Sequence, residues 1–353
     1  MRPNVSSILV VLGLLACSLL ATYSAAQSQA SDFPNKPIRM IIPFPPGGSG
    51  DVLGRYLGAK LAKRLGEQVV IDNRGGADGI IGADIAARAA ADGYTLLFIS
   101  TSFVMNAVVR SSLPYDVEKS FDPISTTGSS PNSIVVYPGA GFKSLRDLVD
   151  RARAKPASIF YASTGVGGFN HFGGELFKKI AGINMLMVPY KGGGLAMIDV
   201  MSGQLPVMFS SITQVLPYVR SGKLKVLAIG ADKRSPALPD IPTVGEAGYP
   251  GYEMYVCWGI VAPAGTPGAV LGRLRREITA VLQDPETTKR LQADSPKPMN
   301  LTPAEFRTMI DDDVKKWTDV ASRPASGWSN DSSGCLLIRG RPWLSSRFTN
   351  SYV

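Results

Sequence analysis

Two glycine-rich loops concentrate the residues of this chain that could hold a small molecule. The first reads Pro43-Phe44-Pro45-Pro46-Gly47-Gly48-Ser49-Gly50-Asp51, the second Ala162-Ser163-Thr164-Gly165-Val166-Gly167-Gly168-Phe169-Asn170-His171. Each follows a strand-like apolar run and precedes an amphipathic stretch, so each should end at a helix N-terminus. Glycine tolerates positive φ and lets a ligand approach the backbone closely. Ser49 or Asp51 can cap the first helix, and unsatisfied first-turn N–H groups carry a positive partial charge. An anion can dock there with no basic side chain beside it. Two such ends facing one cleft suit a small molecule bearing carboxylates. Simple strand-to-helix turns are the alternative that the same residues allow.

Other chemistries fit these residues less well. Gly165-Val166-Gly167-Gly168-Phe169-Asn170 approaches a dinucleotide fingerprint, but Asn170 takes the third glycine position. No acidic residue ends the next strand, where Met185 to Tyr190 runs, so a ribose would go unread. The first loop lacks the Lys-Ser/Thr of a phosphate-binding loop. Ser163 and His171 invite a hydrolase, the rival reading. Yet the chain has no G-x-S-x-G elbow, and no third residue can be assigned to orient the histidine. His171 is the single histidine, which removes most histidine-based metal sites. Asp311-Asp312-Asp313 reads as a solvated helix face and Lys191 as a solvated lysine or a cleft residue. No catalytic residue, metal site or cofactor is expected.

The elements that must position these loops follow an α/β rhythm. Ile38 to Ile42, Val69 to Ile71 and Thr95 to Ile99 read as strands. Between them, Asp51 to Leu65 sets Leu53, Leu57, Leu61 and Leu65 at helical spacing, and Ile80 to Ala91 is an alanine-rich helix. Such β-α-β-α-β order implies a parallel sheet with right-handed crossovers. The rhythm restarts with strands at Ser133 to Tyr137, Ile159 to Tyr161, Met185 to Val188, Val207 to Phe209 and Leu224 to Ile229. Helices are expected at Leu145 to Ala154, Phe172 to Ile180, Leu195 to Met201 and Val215 to Ser221. The proline-rich stretch Ser235 to Pro242 reads as a crossing between two lobes. Three helices follow at Pro267 to Leu282, Pro285 to Gln292 and Pro303 to Val320, each with proline in the first turn. The first lobe is thus expected over 32–128 and 235–320 and the second over 129–234.

Composition sets the boundaries. With 353 residues, 45% hydrophobic and 18% charged, the chain has material for two cores, and disorder or collagen is excluded. Net charge is +9 without a nucleic-acid-like block of basic residues. Arg2, the apolar run Ile8 to Leu20 and Ser24-Ala25-Ala26 read as a signal peptide over 1–26, cleaved after Ala26. The run is shorter than the roughly 20 apolar residues of a membrane span. Leu14-Leu15-Ala16-Cys17 loosely resembles a lipobox, a second possibility. Only Cys257 and Cys335 would remain after cleavage, too few for a disulfide framework. From Ala321 periodicity stops, and 321–353 is expected to be a disordered extension.

Taken in order, several segments resemble the Bug family, the periplasmic solute-binding proteins of tripartite tricarboxylate transporters. The segments are Phe33 to Arg39, Pro43 to Asp51, Asp72 to Ala77, Asp92 to Leu97, Val188 to Gly192 and Arg234 to Gly248, spanning roughly 32–320. The resemblance implies a two-lobed, Venus-flytrap receptor that is a monomer, binds carboxylates and delivers them to membrane permease subunits driven by an ion gradient. A ligand sensor for a signalling protein would share the site. It implies that Phe44, Pro46, Gly47, Gly48, Ser49 and Asp51 hold one end of the ligand. Ser163, Thr164, Gly165, Gly167, Gly168 and His171 would hold the other, with Asn73, Ser100, Thr101, Ser129, Tyr190 and Ser210 lining the cleft. Departures matter too. Gly168 stands where the family often has serine. Pro206, Ser210 and Ser211 stand where it commonly has Asp, then Asp-Asn, so a plain organic acid is expected rather than an amino acid. The end after Val320 lacks the family's short strand-forming Gly-Ile segment, as a frameshifted or read-through end would produce.

Overall fold

The computed structural model describes residues 33–110, 112–294, 299–322, 328–330 and 336–338. The signal peptide expected over 1–26 lies outside them, as does most of the tail. The first unit runs β1 (Ile38–Ile42), α1 (Ser49–Leu65), β2 (Val69–Asn73), α2 (Ile80–Ala87), β3 (Thr95–Ser100) and α3 (Thr101–Val109). β1 lies between β2 and β3, parallel to both, as the β-α-β-α-β pattern requires. Local sequence explains α1 well. Leu53, Leu57, Leu61 and Leu65 all turn inward, and Gly66 ends the helix at φ 77°. Each such buried leucine contributes about 2 kcal/mol of apolar burial.

The second unit contains α4 (Leu145–Ala154), β5 (Phe160–Ser163), α5 (Phe169–Ala181), β6 (Leu186–Pro189), α6 (Gly193–Met201), β7 (Val207–Ser211), α7 (Ile212–Arg220) and β8 (Lys225–Gly230). β5 pairs in parallel with β6 and β7. Joining the units is β4 (Phe121–Val136), which pairs along its first part with β9 (Tyr255–Pro263) and along its last part with β7 and β8. β9 in turn pairs antiparallel with β3. A two-stranded ribbon therefore runs from one lobe into the other.

This ribbon corrects the sequence reading in two places. Only the last part of β4 is expected from sequence, because Pro123, Gly128, Pro131 and a run of serines and threonines read as a loop. Ser125, Thr126, Thr127, Ser129 and Ser130 are buried instead, and register irregularities fall beside Pro123 and before Gly128, where a ladder tolerates such residues. The second correction concerns the crossing. Leu238 and Ile241 pack on the core of the second unit, and Thr243 bridges Ile229. The chain returns later, where the Met254 amide donates to Gly230 and its carbonyl accepts from Asn132. Residues 235–254 thus pack with the second unit.

Helices α8 (Gly268–Gln283), α9 (Pro285–Asp294) and α10 (Pro303–Ser322) follow β9. Phe306 and Ile310 of α10 pack into the first unit, while Trp317 meets Phe172 of α5 edge-on at 5.3 Å. In the stretch expected to be disordered, β10 (Trp328–Asn330) and β11 (Leu336–Ile338) pair antiparallel. No described helix is long and apolar enough to cross a membrane.

Candidate functional site

The first loop is held from behind by one buried carboxylate. Asp51 is 4% exposed and accepts from the Gly47 amide at 3.0 Å, from Asn73 Nδ2 at 2.9 Å and from Arg55 Nε at 2.9 Å. Asn73 Nδ2 also donates to the Phe44 carbonyl, so both ends of the turn are tied to β2. Burial alone would raise the Asp51 carboxyl, but the bonds from Arg55, Gly47 and Asn73 together hold it below the usual range. Gly48 is the N-cap of α1 and offers no side chain as a cap. The first-turn amides of Ser49, Gly50 and Asp51 have no intrahelical acceptor. Among the described residues they bond to nothing else.

The second loop is occupied by the protein itself. Ser163 Oγ donates to the Gly165 carbonyl at 2.9 Å, and the Gly167 amide donates to His171 Nδ1 at 3.1 Å. Burial pushes the His171 imidazole down, so it stays neutral and accepts. The Phe169 amide donates to Ser102 Oγ of α3 at 3.1 Å, a bond from one lobe to the other. Asp78, between β2 and α2, comes from that same side, with Oδ1 3.5 Å from Thr164 Oγ1. A Cβ placed on Gly168 would lie 2.3 Å from Asp78 Oδ2, so glycine is required here for as long as Asp78 is present. Burial pushes the Asp78 carboxyl up to about 7, against the smaller lowering influences of Ser102, Arg110 and Thr164.

Between the loops lies a half-open cleft of about 50 Å³, several times the roughly 10–15 Å³ one water needs. The first lobe contributes Phe44, Gly48, Ser49, Gly50, Ser100 and Ser102. Thr164, Phe169, Asn170, Gly193, Ser211 and Gln214 face them, and Val256 and Trp258 of β9 complete the wall. No charged side chain lines this space. Asn170 Nδ2, Gln214 Nε2 and Ser211 Oγ are buried there without a partner. Buried amide N–H groups in that state favour an acceptor supplied from outside. Elsewhere the lobes meet tightly: a Cβ on Gly192 would lie 2.7 Å from Pro45.

Of the residues expected from sequence, Phe44, Gly48, Ser49, Ser100 and Thr164 line the cleft. Pro46 and Gly47 are exposed at its edge, and Gly165, Gly167, Gly168 and His171 shape the second loop. Others support from behind. Asp51 and Asn73 form the clasp, and Thr101 Oγ1 accepts the Cys257 amide at 2.8 Å. Ser129 pairs opposite Cys257 within the ribbon. Tyr190 donates to Asp199, and Ser210 orients Gln214 through its Oε1. Ser163 and His171 engage Gly165 and Gly167 rather than forming a nucleophile–base pair. Among the described residues no cluster of side chains could hold a metal ion.

Sequence reasoning missed Asp78, Ser102, Gln214, Val256 and Trp258. The signal for the last two was available: Tyr255 to Pro263 is an apolar run of strand length ended by proline. Ser102 and Gln214 sit in the first turns of α3 and α7, where only tertiary packing reveals which way they point.

Known proteins are similar to this chain in sequence and fold. A sequence profile described as Tripartite tricarboxylate transporter family receptor matches residues 53–323. Protein BugT of Bordetella pertussis is 36% identical over 320 residues, covering 90% of this chain and 97% of that protein. An R. palustris protein solved with adipate is 31% identical, with a TM-score of 0.80 over 82% of this chain and 97% of that one. The periplasmic binding protein BugD is 32% identical with a TM-score of 0.78, covering 82% of this chain and 97% of its own. MatC from Rhodopseudomonas palustris, solved with malate, is 27% identical with a TM-score of 0.76, over 82% of this chain and 99% of that one.

Proposed function

The chain belongs to the tripartite tricarboxylate transporter receptor family, whose members are periplasmic solute receptors rather than enzymes, and we propose that its cleft takes a small organic carboxylate held at the first turn of α1. One observation carries this reading. Unpartnered amides of Ser49 and Gly50 face a cleft that also holds the unpartnered Asn170 and Gln214 side-chain amides and no charged group. Neutral, preorganised donors at a helix N-terminus stabilise an anion without the desolvation cost of burying a lysine or arginine. Relatives solved with adipate and malate support the same class of ligand.

The reading extends to movement and partners. The β4–β9 ribbon serves as the hinge, and closure brings Phe169 to Ser102 and Pro45 to Gly192. The closed form, a monomer exported after cleavage at Ala26, is the one presented to membrane permease subunits. A plain organic acid fits better than an amino acid, because no acidic side chain lines the cleft to pair an ammonium group. Asp51 is engaged in the clasp behind the first loop, and Asp78 lies against Gly168 outside the lining of this cleft.

Thermal unfolding of the chain against carboxylates, amino acids and sugars tests this. A ligand that binds only the folded state adds about 2.7 kcal/mol at a hundredfold excess over its dissociation constant. Several degrees of shift with a carboxylate and none with sugars is expected. Tighter binding of aspartate than of every simple acid contradicts the organic-acid reading.

A further inference from the structure

The two helix N-termini that face the cleft are not equivalent. At α1 the amides are unpartnered and the clasping carboxylate, Asp51, sits behind the loop. At α5 the first amide of the helix and the loop leading into it are already engaged. Phe169 is bonded to Ser102, Gly167 is bonded to His171, and the Asp78 carboxyl lies against Gly168 and Thr164. Asp78 is contributed by the opposite lobe and stands where a side chain at 168 would otherwise point. Its Oδ2 has no hydrogen-bond partner, and Asp78 itself is 8% exposed. The chain thus supplies its own carboxyl at one of its two anion-favouring ends.

We propose that Asp78 is a specificity-determining residue that excludes a second ligand carboxylate from α5, leaving the cleft to acids with one carboxylate and an apolar body. This inference rests on the carboxylate reading above. The remaining wall agrees with it. Phe44, Phe169, Val256 and Trp258 are apolar surfaces around the cleft, and a second anionic group would meet them without a cation. Burying an unpaired carboxylate against such a wall is strongly unfavourable, whereas a ring or alkyl chain gains from it. Conversely, Asn170 Nδ2 and Gln214 Nε2 add donors for the single carboxylate held at α1.

The test compares benzoate and hexanoate with succinate and adipate, using titration calorimetry on the full chain, its Asp78→Gly variant and its Asp78→Asn variant. Asp78 has φ 54°, a conformation that glycine and asparagine both accept, so the backbone is spared in each. The wild-type chain is expected to bind benzoate or hexanoate at least tenfold more tightly than succinate or adipate. Asp78→Gly is expected to raise the succinate-to-benzoate affinity ratio at least tenfold, and Asp78→Asn to raise it less, since it keeps the bulk of the side chain and removes only the acid. A wild-type chain that prefers succinate or adipate overturns the role of Asp78 and leaves the carboxylate receptor standing. A ratio that neither variant moves does the same. Binding of none of the four acids by the folded wild-type chain overturns both.

Discussion

The loops 43–51 and 163–171 have the same ancestry in physics, strand, glycine turn and helix N-terminus, yet they end in opposite states. The first is braced from outside the cleft by Asp51, Asn73 and Arg55, and its amides remain available. The second is stoppered by Ser102, His171 and Asp78, two of them from the facing lobe. A helix N-terminus is therefore an anion site only when the fold leaves it unfilled. Where the brace comes from decides whether the site is open.

The largest expected effect comes from removing the wall beside the open loop. Trp258 is buried next to Gly50, and Trp258→Ala should cost about 3–5 kcal/mol in denaturant unfolding, with loss of ligand affinity. Next comes the brace. Asp51→Ala leaves the Asn73 and Gly47 donors unpaired and should cost about 2–3 kcal/mol, with at least a tenfold loss in affinity as the loop relaxes. At the filled loop, Gly168→Ser should cost about 1–3 kcal/mol because the new Cβ collides with Asp78, and Asp78→Gly in the same chain should recover most of it. A double-mutant cycle showing no coupling would break the comparison between the loops.

The smallest effect is a slope with pH. Asp78 titrates higher in the folded chain than when unfolded, so its contribution to stability is complete below about pH 4 and is lost as pH rises toward 7. Arg110, Tyr115, Ser102 and Thr164 are the groups that bear on it. Asp51, Asp72 and Asp284 act in the opposite sense, because their lowered values stabilise above the unfolded range and fail as pH falls. Asp78→Asn should flatten the decline between pH 5 and 7 by on the order of 1 kcal/mol in urea unfolding. An unchanged slope would show that the Asp78 carboxyl is solvated.

Much of the frame is legible in sequence. α4 is read from Leu145 to Ala154 because Leu145, Leu148, Val149 and Ala152 repeat on one face and Ser144 caps the Asp147 amide. The first loop is legible for the same kind of reason, since its glycines and following leucines are local, although Gly48 takes the cap position expected of Ser49 or Asp51. Asp78 is not. It sits in Gly75-Gly76-Ala77-Asp78-Gly79, where no local pattern marks it, and a loop 86 positions away folds over it. β4 is hidden by its own polarity: serines and threonines serve as ladder residues between two lobes, where neither alternation nor a hydrophobic run marks them.

The most direct measurement is a crystal structure of the chain grown with benzoate. The carboxylate is expected at the first turn of α1, within about 2.7–3.2 Å of the Ser49 or Gly50 amide, with the ring against Trp258 and Phe169 and Asp78 still against Gly168. A carboxylate seated instead at the first turn of α5, with Asp78 swung away, would contradict it.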